Sequence, residues 1–180
     1  MALVLNGSAN TLTGLATGGA GIAEAEVVAP AALGNHGVIQ VVTAGTTTAV
    51  EINDTTWTDT GVTATITPRS NSNKILIMVR QSFSTHRNTT SAYGSLRLLR
   101  GATVIQNTHN TTFHYGIRAD GNNDRWARMA IPFTYLDSPA TTSATIYHVE
   151  MVRHSSSDGP EYKAQDDNSP SSIVLMEVVA

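Results

Sequence analysis

The segment from residue 115 to residue 126 has the residue types that hold sugars in proteins. Tyr115 and Trp126 offer flat apolar faces against which the C–H groups of a sugar ring can pack. The arginines and asparagines of this segment can hydrogen-bond sugar hydroxyls. The segment predicts a glycan-binding site, and the alternative is that both aromatics are ordinary core or subunit-interface residues. The site residues under the glycan hypothesis are Tyr115, Arg118, Asn122, Asn123, Arg125 and Trp126.

Histidines in or beside polar stretches raise the question of a metal site. A threefold axis could bring one histidine from each of three chains together. The sequence has no tight ligand spacing such as His-Glu-X-X-His. The acidic turn at residues 120–124 lacks the bidentate glutamate of an EF-hand. We therefore expect no metal and no other cofactor. The histidines in question are His86, His109, His114 and His154.

Catalysis would require a nucleophile beside a base, or two paired carboxylates, held by neighbouring elements. The chain has many serines, histidines and aspartates. Their spacing matches neither a Gly-X-Ser-X-Gly motif nor a carboxylate pair of the kind that glycosidases use. We expect a protein that binds and assembles, not an enzyme.

Charge and composition narrow the classes of partner. A formal net charge of −3 and a pI near 6.0 give no electrostatic attraction for phosphate backbones, so nucleic acid is not an expected partner. No apolar stretch reaches the roughly 18 residues of a membrane span, so membrane insertion is not expected either. The chain has no cysteine, so its stability must come from packing or from oligomerisation.

Strand patterns dominate from residue 38 onward. Val62, Ala64 and Ile66 alternate with threonines, as in a strand with one buried face. The apolar run at residues 74–80 predicts a central strand that is covered on both faces. Pro132 lies inside a long strand pattern at residues 126–135, which predicts an edge position or a bulge. Trp57 is expected in the core.

The sequence divides into a glycine-rich N-terminal segment and a longer region in which polar stretches separate the predicted strands. Residues 1–37 predict one or two short strands around the early leucines and a short helix at residues 22–29, before Pro30. Residues 38–180 predict an all-β head, an antiparallel, jelly-roll-like β-sandwich. Three long polar connections, residues 84–94, 106–125 and 154–171, are expected to be loops that display function, and the alternative for the middle one is that it contains a strand at Thr111–Ile117. The acidic run at residues 161–167 is expected to be a solvated part of the last loop.

Several sequence blocks, in the same order, resemble a recurrent C-terminal domain of bacteriophage tail fibres and related virion proteins, abundant in viruses of cyanobacteria. The blocks are Thr56–Val62, Ile66–Pro68, Ser72–Val79, Leu136–Ala144 and Ser172–Glu177. The Leu-Thr-Gly-Leu stretch near the N-terminus is similar to the glycine-rich segments by which such fibres join the virion.

The resemblance implies a homotrimeric head that is exposed on the surface of a virion assembled in the host cytoplasm. Residues 1–37 would then attach the head to other virion proteins, and the loops at one end would meet a host-surface polysaccharide. Only about 37 residues precede the head in this sequence, whereas fibres of this kind often carry the domain on a long shaft. A short tail-fibre-like adhesin is the first expectation, and a capsid or tail decoration protein, including a head fibre, is the alternative.

Overall fold

The computed structural model describes residues 4–6, 11–13, 37–52, 54–87, 92–107, 115–117, 125–154 and 161–180. The chain divides into two compact units, Met1–Gly34 and Asn35–Ala180. In the first unit, strands β1 (Val4–Asn6) and β2 (Thr11–Thr13) form an antiparallel hairpin. The helix expected at residues 22–29 lies outside the described residues, and the attachment role of residues 1–37 stays a prediction.

The second unit is an antiparallel β-sandwich, which confirms the predicted fold class. Its first sheet has the order β3-β13-β6-β12-β4, and β10 pairs with the opposite side of β6. The strands of this sheet are β3 (Val38–Thr46), β4 (Val50–Glu51), β6 (Lys74–Arg87), β10 (Arg125–Asp137), β12 (Glu161–Ala164) and β13 (Ser171–Val178).

The second sheet has the order β5-β11-β7-β8, and β9 also pairs with β7. Among the described residues the only helical element is a 3₁₀ turn at Asp166–Asn168. No helix in this part of the chain is long and apolar enough to cross a membrane. The strands of the second sheet are β5 (Thr58–Ile66), β7 (Ala92–Arg100), β8 (Thr103–Asn107), β9 (Tyr115–Ile117) and β11 (Thr145–Arg153).

The core lies between the inner faces of the two sheets, and the alternation of apolar residues explains it. Val62, Ala64 and Ile66 of β5 are buried while the intervening threonines are exposed, as predicted. On β11, Tyr147 and Val149 likewise point into the core. A strand places successive side chains on opposite faces, so this period of two is sufficient to bury one face of each sheet.

Strand β6 is central, as predicted, but the prediction that both its faces are covered is only partly correct. Ile75, Ile77 and Val79 are buried, whereas Leu76 and Met78 on the outer face are half-buried. The outer face is open because the second sheet covers only one side of β6.

An apolar row crosses this outer face. Val41, Met176, Leu76 and Leu136 lie directly opposite one another on the neighbouring strands β3, β13, β6 and β10. Val41 is 51% exposed and Leu136 is 49% exposed. We call these four residues the outer apolar row.

Pro132 lies within β10, which pairs only with β6 among the described strands. The predicted edge position is therefore confirmed. A proline is tolerated at an edge because it removes one donor on the side where β10 has no partner among the described strands.

Three expectations drawn from local sequence need correction. Trp57 is not in the core: it is half-buried and stacks on the guanidinium of Arg97, whose Cζ lies 4.4 Å from the ring centroid. The acidic run at residues 161–167 is not a solvated loop, because it includes β12, whose Tyr162 and Ala164 are buried. The predicted loop at residues 84–94 is also shorter, since β6 continues to Arg87 and β7 begins at Ala92.

Candidate functional site

The structure places three of the six predicted glycan-site residues and leaves three outside its described part. Tyr115 begins β9 and pairs with Gly94, whereas Arg125 begins β10 opposite Arg87. Strand β9 belongs to the second sheet and β10 to the first, yet their backbones lie close to each other. Trp126 follows Arg125 on the same strand. The remaining residues, Arg118, Asn122 and Asn123, lie outside the described residues.

Trp126 forms an exposed aromatic platform. Its side chain points to the outer face of the first sheet, and the residue is 49% exposed. His86, directly opposite on β6, stacks on the indole with ring centroids 4.3 Å apart and an interplanar angle of 19°. Arg128 lies two residues further along β10, with Cζ 5.4 Å from the indole centroid. The exposed half of the indole offers apolar surface against which a sugar ring can pack.

A cavity of about 250 Å³ opens on the same face, and Arg128 contributes to its wall. The exposed Met129, Ala130 and Pro170 supply apolar surface, and the half-buried Ser169 supplies a hydroxyl group. Arg80 adds a positive charge to the cavity wall, and Asp166 adds a negative charge. Arg128 belongs to both features, so the cavity and the Trp126 platform are neighbours on this face. The wall consists of Arg80, Ser82, Phe83, Ser84, Arg128, Met129, Ala130, Asp166, Ser169 and Pro170.

The cavity wall is held by hydrogen bonds between β6 and the segment that follows β12. Arg80 Nη1 donates to the carbonyl of Pro170 at 2.6 Å. The Ser82 hydroxyl donates to the carbonyl of Ser169 at 2.9 Å and lies 2.9 Å from the Ser171 hydroxyl. These bonds fix the position of the wall independently of any ligand.

The turn that carries Asp166 has an unusual backbone. Gln165, Asp167 and Asn168 all have left-handed conformations, with φ of 51°, 54° and 56°. Such conformations are uncommon outside glycine and persist where surrounding contacts impose them. Gln165 supplies those contacts. The nitrogen of its buried side-chain amide, oriented to satisfy its neighbours, donates hydrogen bonds to the carbonyls of Thr48 and Thr60 at 3.1 Å each.

Asp166 is a carboxylate at neutral pH. Burial raises its pKa, but hydrogen bonds from Ser84 and Arg128 and the positive charges of Arg128 and Lys163 outweigh burial and hold the pKa below its ordinary value. The bond from Arg128 Nε to Asp166 Oδ2 is 3.3 Å long. The cavity wall thus carries two guanidinium groups and one carboxylate, an excess of positive charge.

The histidines considered for a metal site do not form one in the described part of the chain. His86 stacks on Trp126, and Nε2 of His154 lies 2.6 Å from the hydroxyl of the buried Ser95. His109 and His114 lie outside the described residues, as does the acidic turn at residues 120–124. No group of three or more histidine, aspartate or glutamate side chains able to hold a metal ion occurs among the described residues.

Sequence reasoning singled out Trp126 by its residue type but gave no indication of the cavity. Arg80 and Ser82 lie inside a strand pattern that offered no sign of a binding site. Arg128 lies just past the predicted glycan segment, and Asp166 was assigned to a loop. The useful signal in the sequence was the set of three polar connections. Described residues at the ends of each connection contribute to the candidate site.

The sequence matches no protein-family model and no curated protein. Among solved structures, a crystal structure of the T13 IBDV viral particle is 12% identical, with a TM-score of 0.36, and the match covers 79% of this chain and 36% of that chain. A structure of infectious bursal disease virus strain Gt is 12% identical, with a TM-score of 0.33 and coverages of 79% and 39%. The infectious bursal disease virus VP2 subviral particle is 11% identical, with a TM-score of 0.34 and coverages of 79% and 38%.

The chain thus spans less than two fifths of the solved chains it matches. At these TM-scores the likeness assigns the chain to no family and no function. The resemblance to tail fibres stays a prediction from the sequence blocks.

Proposed function

We propose that this chain is a non-catalytic structural protein of a virion, whose β-sandwich head binds glycans of the host surface. The observation that carries the proposal is the exposed platform of Trp126, which His86 and Arg128 contact and which lies next to a cavity that also includes Arg128. Aromatic faces and hydroxyl-bearing walls are the chemistry by which sugars are held. The virion location rests on the sequence blocks that resemble tail-fibre domains.

Self-association into a homotrimer is part of this proposal. The outer apolar row, Val41–Met176–Leu76–Leu136, presents contiguous apolar surface that a second copy can cover. Multivalency then gives the mechanism, since weak sites on three chains combine into strong adhesion without any one site being tight.

Binding to host cells or to a glycan array tests the adhesin function. Trp126→Ala is expected to lower binding about tenfold, which corresponds to a loss of about 1.4 kcal/mol of aromatic contact. Ile146→Ala is the matched control, because Ile146 is 48% exposed and lies on the other sheet. Equal binding by wild type and Trp126→Ala, or an equal loss in the control, would refute the platform.

Light scattering tests the trimer. Leu136→Glu places a charge in the outer apolar row and is expected to convert trimers to monomers. Thr63→Glu changes an exposed residue of β5 on the opposite sheet and should leave the mass unchanged. A wild-type monomer at micromolar concentration would contradict the trimer.

A second candidate function is decoration of a capsid or tail, in which the protein binds neighbouring virion proteins through residues 1–37. The outer apolar row favours it as well, because a shell protein could cover the same surface. Trimers that ignore host cells but attach to stripped virions would support decoration over adhesion.

A further inference from the structure

We infer that the cavity beside Trp126 binds the carboxylate of an acidic sugar residue, such as a uronic acid, while a neighbouring sugar stacks on the indole. This inference rests on the proposed glycan binding and names the class of glycan. It starts from the two arginines of the cavity wall, Arg80 and Arg128, since the wall has only one carboxylate, Asp166.

Both guanidinium groups retain the capacity to bind an anion. Arg80 is held by the bond from Nη1 to the carbonyl of Pro170, and a guanidinium has five N–H donors, so this bond positions the group without exhausting it. The contact of Arg128 with Asp166 is longer than the roughly 2.7–2.9 Å of a charge-assisted hydrogen bond. Arg128 is also largely exposed, with 56% of its side chain accessible, so a ligand carboxylate can compete for it.

The rest of the cavity suits a sugar ring better than a small inorganic anion. The half-buried Ser169 can offer its hydroxyl to a sugar hydroxyl, and the exposed Met129, Ala130 and Pro170 offer apolar surface to ring C–H groups. The volume of about 250 Å³ lies just below the roughly 300–1,000 Å³ of pockets that enclose drug-sized ligands. It therefore fits one sugar residue, not an oligosaccharide.

The position of Arg128 links the two halves of the site. Its guanidinium lies beside the Trp126 ring and also in the cavity wall. A glycan that places an acidic residue in the cavity brings the adjacent residue towards the indole. The site thus distinguishes a polymer that carries carboxylates from one that has the same sugars without charge.

The test compares immobilised polygalacturonate with its carboxyl-reduced, neutral product, using the purified full chain. Wild type is expected to bind polygalacturonate at least tenfold more tightly than the reduced polymer. Arg128→Gln and Arg80→Gln should each bring this ratio close to one, whereas Trp126→Ala should weaken binding to both polymers. Arg69→Gln, which removes an exposed arginine outside the cavity, should keep the ratio of the wild type.

Several results would overturn the inference, and they differ from those that would overturn glycan binding. Equal binding of the charged and the reduced polymers would exclude a carboxylate site while leaving glycan adhesion intact. Equal binding of dextran sulfate, or an equal effect of Arg69→Gln, would show general attraction for polyanions. Failure to bind either polymer, host cells or a glycan array would reject the proposed function itself. Unchanged thermal unfolding of Arg128→Gln would confirm that its effect is local.

Discussion

The hydroxyl of Tyr147 donates a hydrogen bond of 2.7 Å to Asp137, and this bond joins the two sheets of the sandwich. Tyr147 lies on β11 of the second sheet, and Asp137 ends β10 of the first. Arg100 Nη1 pairs with the same carboxylate at 2.8 Å. Apolar contacts between sheets are non-directional, whereas this polar cluster fixes their alignment at one end.

Tyr147→Phe should destabilise the head domain by about 1–3 kcal/mol, because the buried carboxylate of Asp137 loses a hydrogen-bond donor. Urea unfolding followed by circular dichroism measures the change. Tyr135→Phe is the matched control, since Tyr135 is half-buried against the core and donates no such bond among the described residues. A control that loses as much stability as Tyr147→Phe would contradict the role of the hydrogen bond.

Stability should fall at alkaline pH because of the same residue. Burial first, and then the hydrogen bond to Asp137 and its negative charge, raise the pKa of Tyr147 well above its ordinary value of 10.0. The folded state then keeps a proton that the unfolded state loses, so the contribution to stability is present below pH 10 and is lost as the pH rises further.

Above pH 10 this single group should lower the free energy of unfolding by about 1.4 kcal/mol per pH unit. Comparing the alkaline slopes of wild type and Tyr147→Phe isolates this contribution from those of the other tyrosines. Identical slopes in the two proteins would show that Tyr147 ionises as easily in the folded state as in the unfolded state.

Acid should destabilise the protein through Glu177, a buried carboxylate on β13. Burial raises its pKa, but hydrogen bonds from Asn73 (2.6 Å), Gln40 (2.5 Å) and the backbone N–H of Arg69 (2.7 Å) outweigh burial, and the net pKa is lower than the ordinary 4.5. A lowered folded pKa gives stability that is present above about pH 4.5 and is lost as the pH falls through the folded pKa.

Glu177→Gln should cost about 1–3 kcal/mol at pH 7, because the donors of Asn73 and Arg69 lose their charged acceptor. The variant should also lose less stability than wild type between pH 5 and pH 3. Unfolding by urea at a series of pH values measures both effects. Glu51→Gln, at an exposed position, is the control, and a wild-type-like acid response of Glu177→Gln would reject the assignment.

Gly94→Ala should be strongly destabilising. A Cβ at this position of β7 would lie 2.3 Å from the carbonyl oxygen of Val152 and 2.7 Å from the ring of Tyr162. Overpacking of this kind costs about 1–3 kcal/mol or more, since backbone must move to relieve it. Gly37→Ala is the control because a Cβ there meets nothing within 4 Å, and equal melting temperatures of the two variants would contradict the prediction.

The fold could be predicted from the sequence wherever the residue pattern within a single strand was sufficient to define its local structure. The alternation at Val62, Ala64 and Ile66 and the position of Pro132 both describe local geometry. Strand β12 was not predicted because the acidic residues around Tyr162, taken alone, indicate a segment that is exposed to solvent. Only its pairing with β6 on one side and β4 on the other shows that it is a strand, and such partners lie far away in the sequence.

The site was predictable only in its aromatic part. Trp126 stands out by residue type, but its neighbours His86 and Arg128 reach it through the register of β6 and β10, which no local pattern reports. The same reason explains why Trp57 was wrongly predicted to lie in the core. Its contact partner, Arg97, is distant in the sequence and lies beside it only in the folded chain. Residue type therefore identified a candidate, and tertiary pairing determined its surroundings.

Pro132 also affects how the protein behaves at high concentration. A long strand with one unpaired side can act as a template on which other copies add strands and aggregate. Among the described strands β10 pairs on one side only, and the proline near its middle removes a backbone donor, so a ladder added by another copy would be interrupted there. Resistance to amyloid-like stacking thus depends in part on a single side chain that makes little contribution to the core.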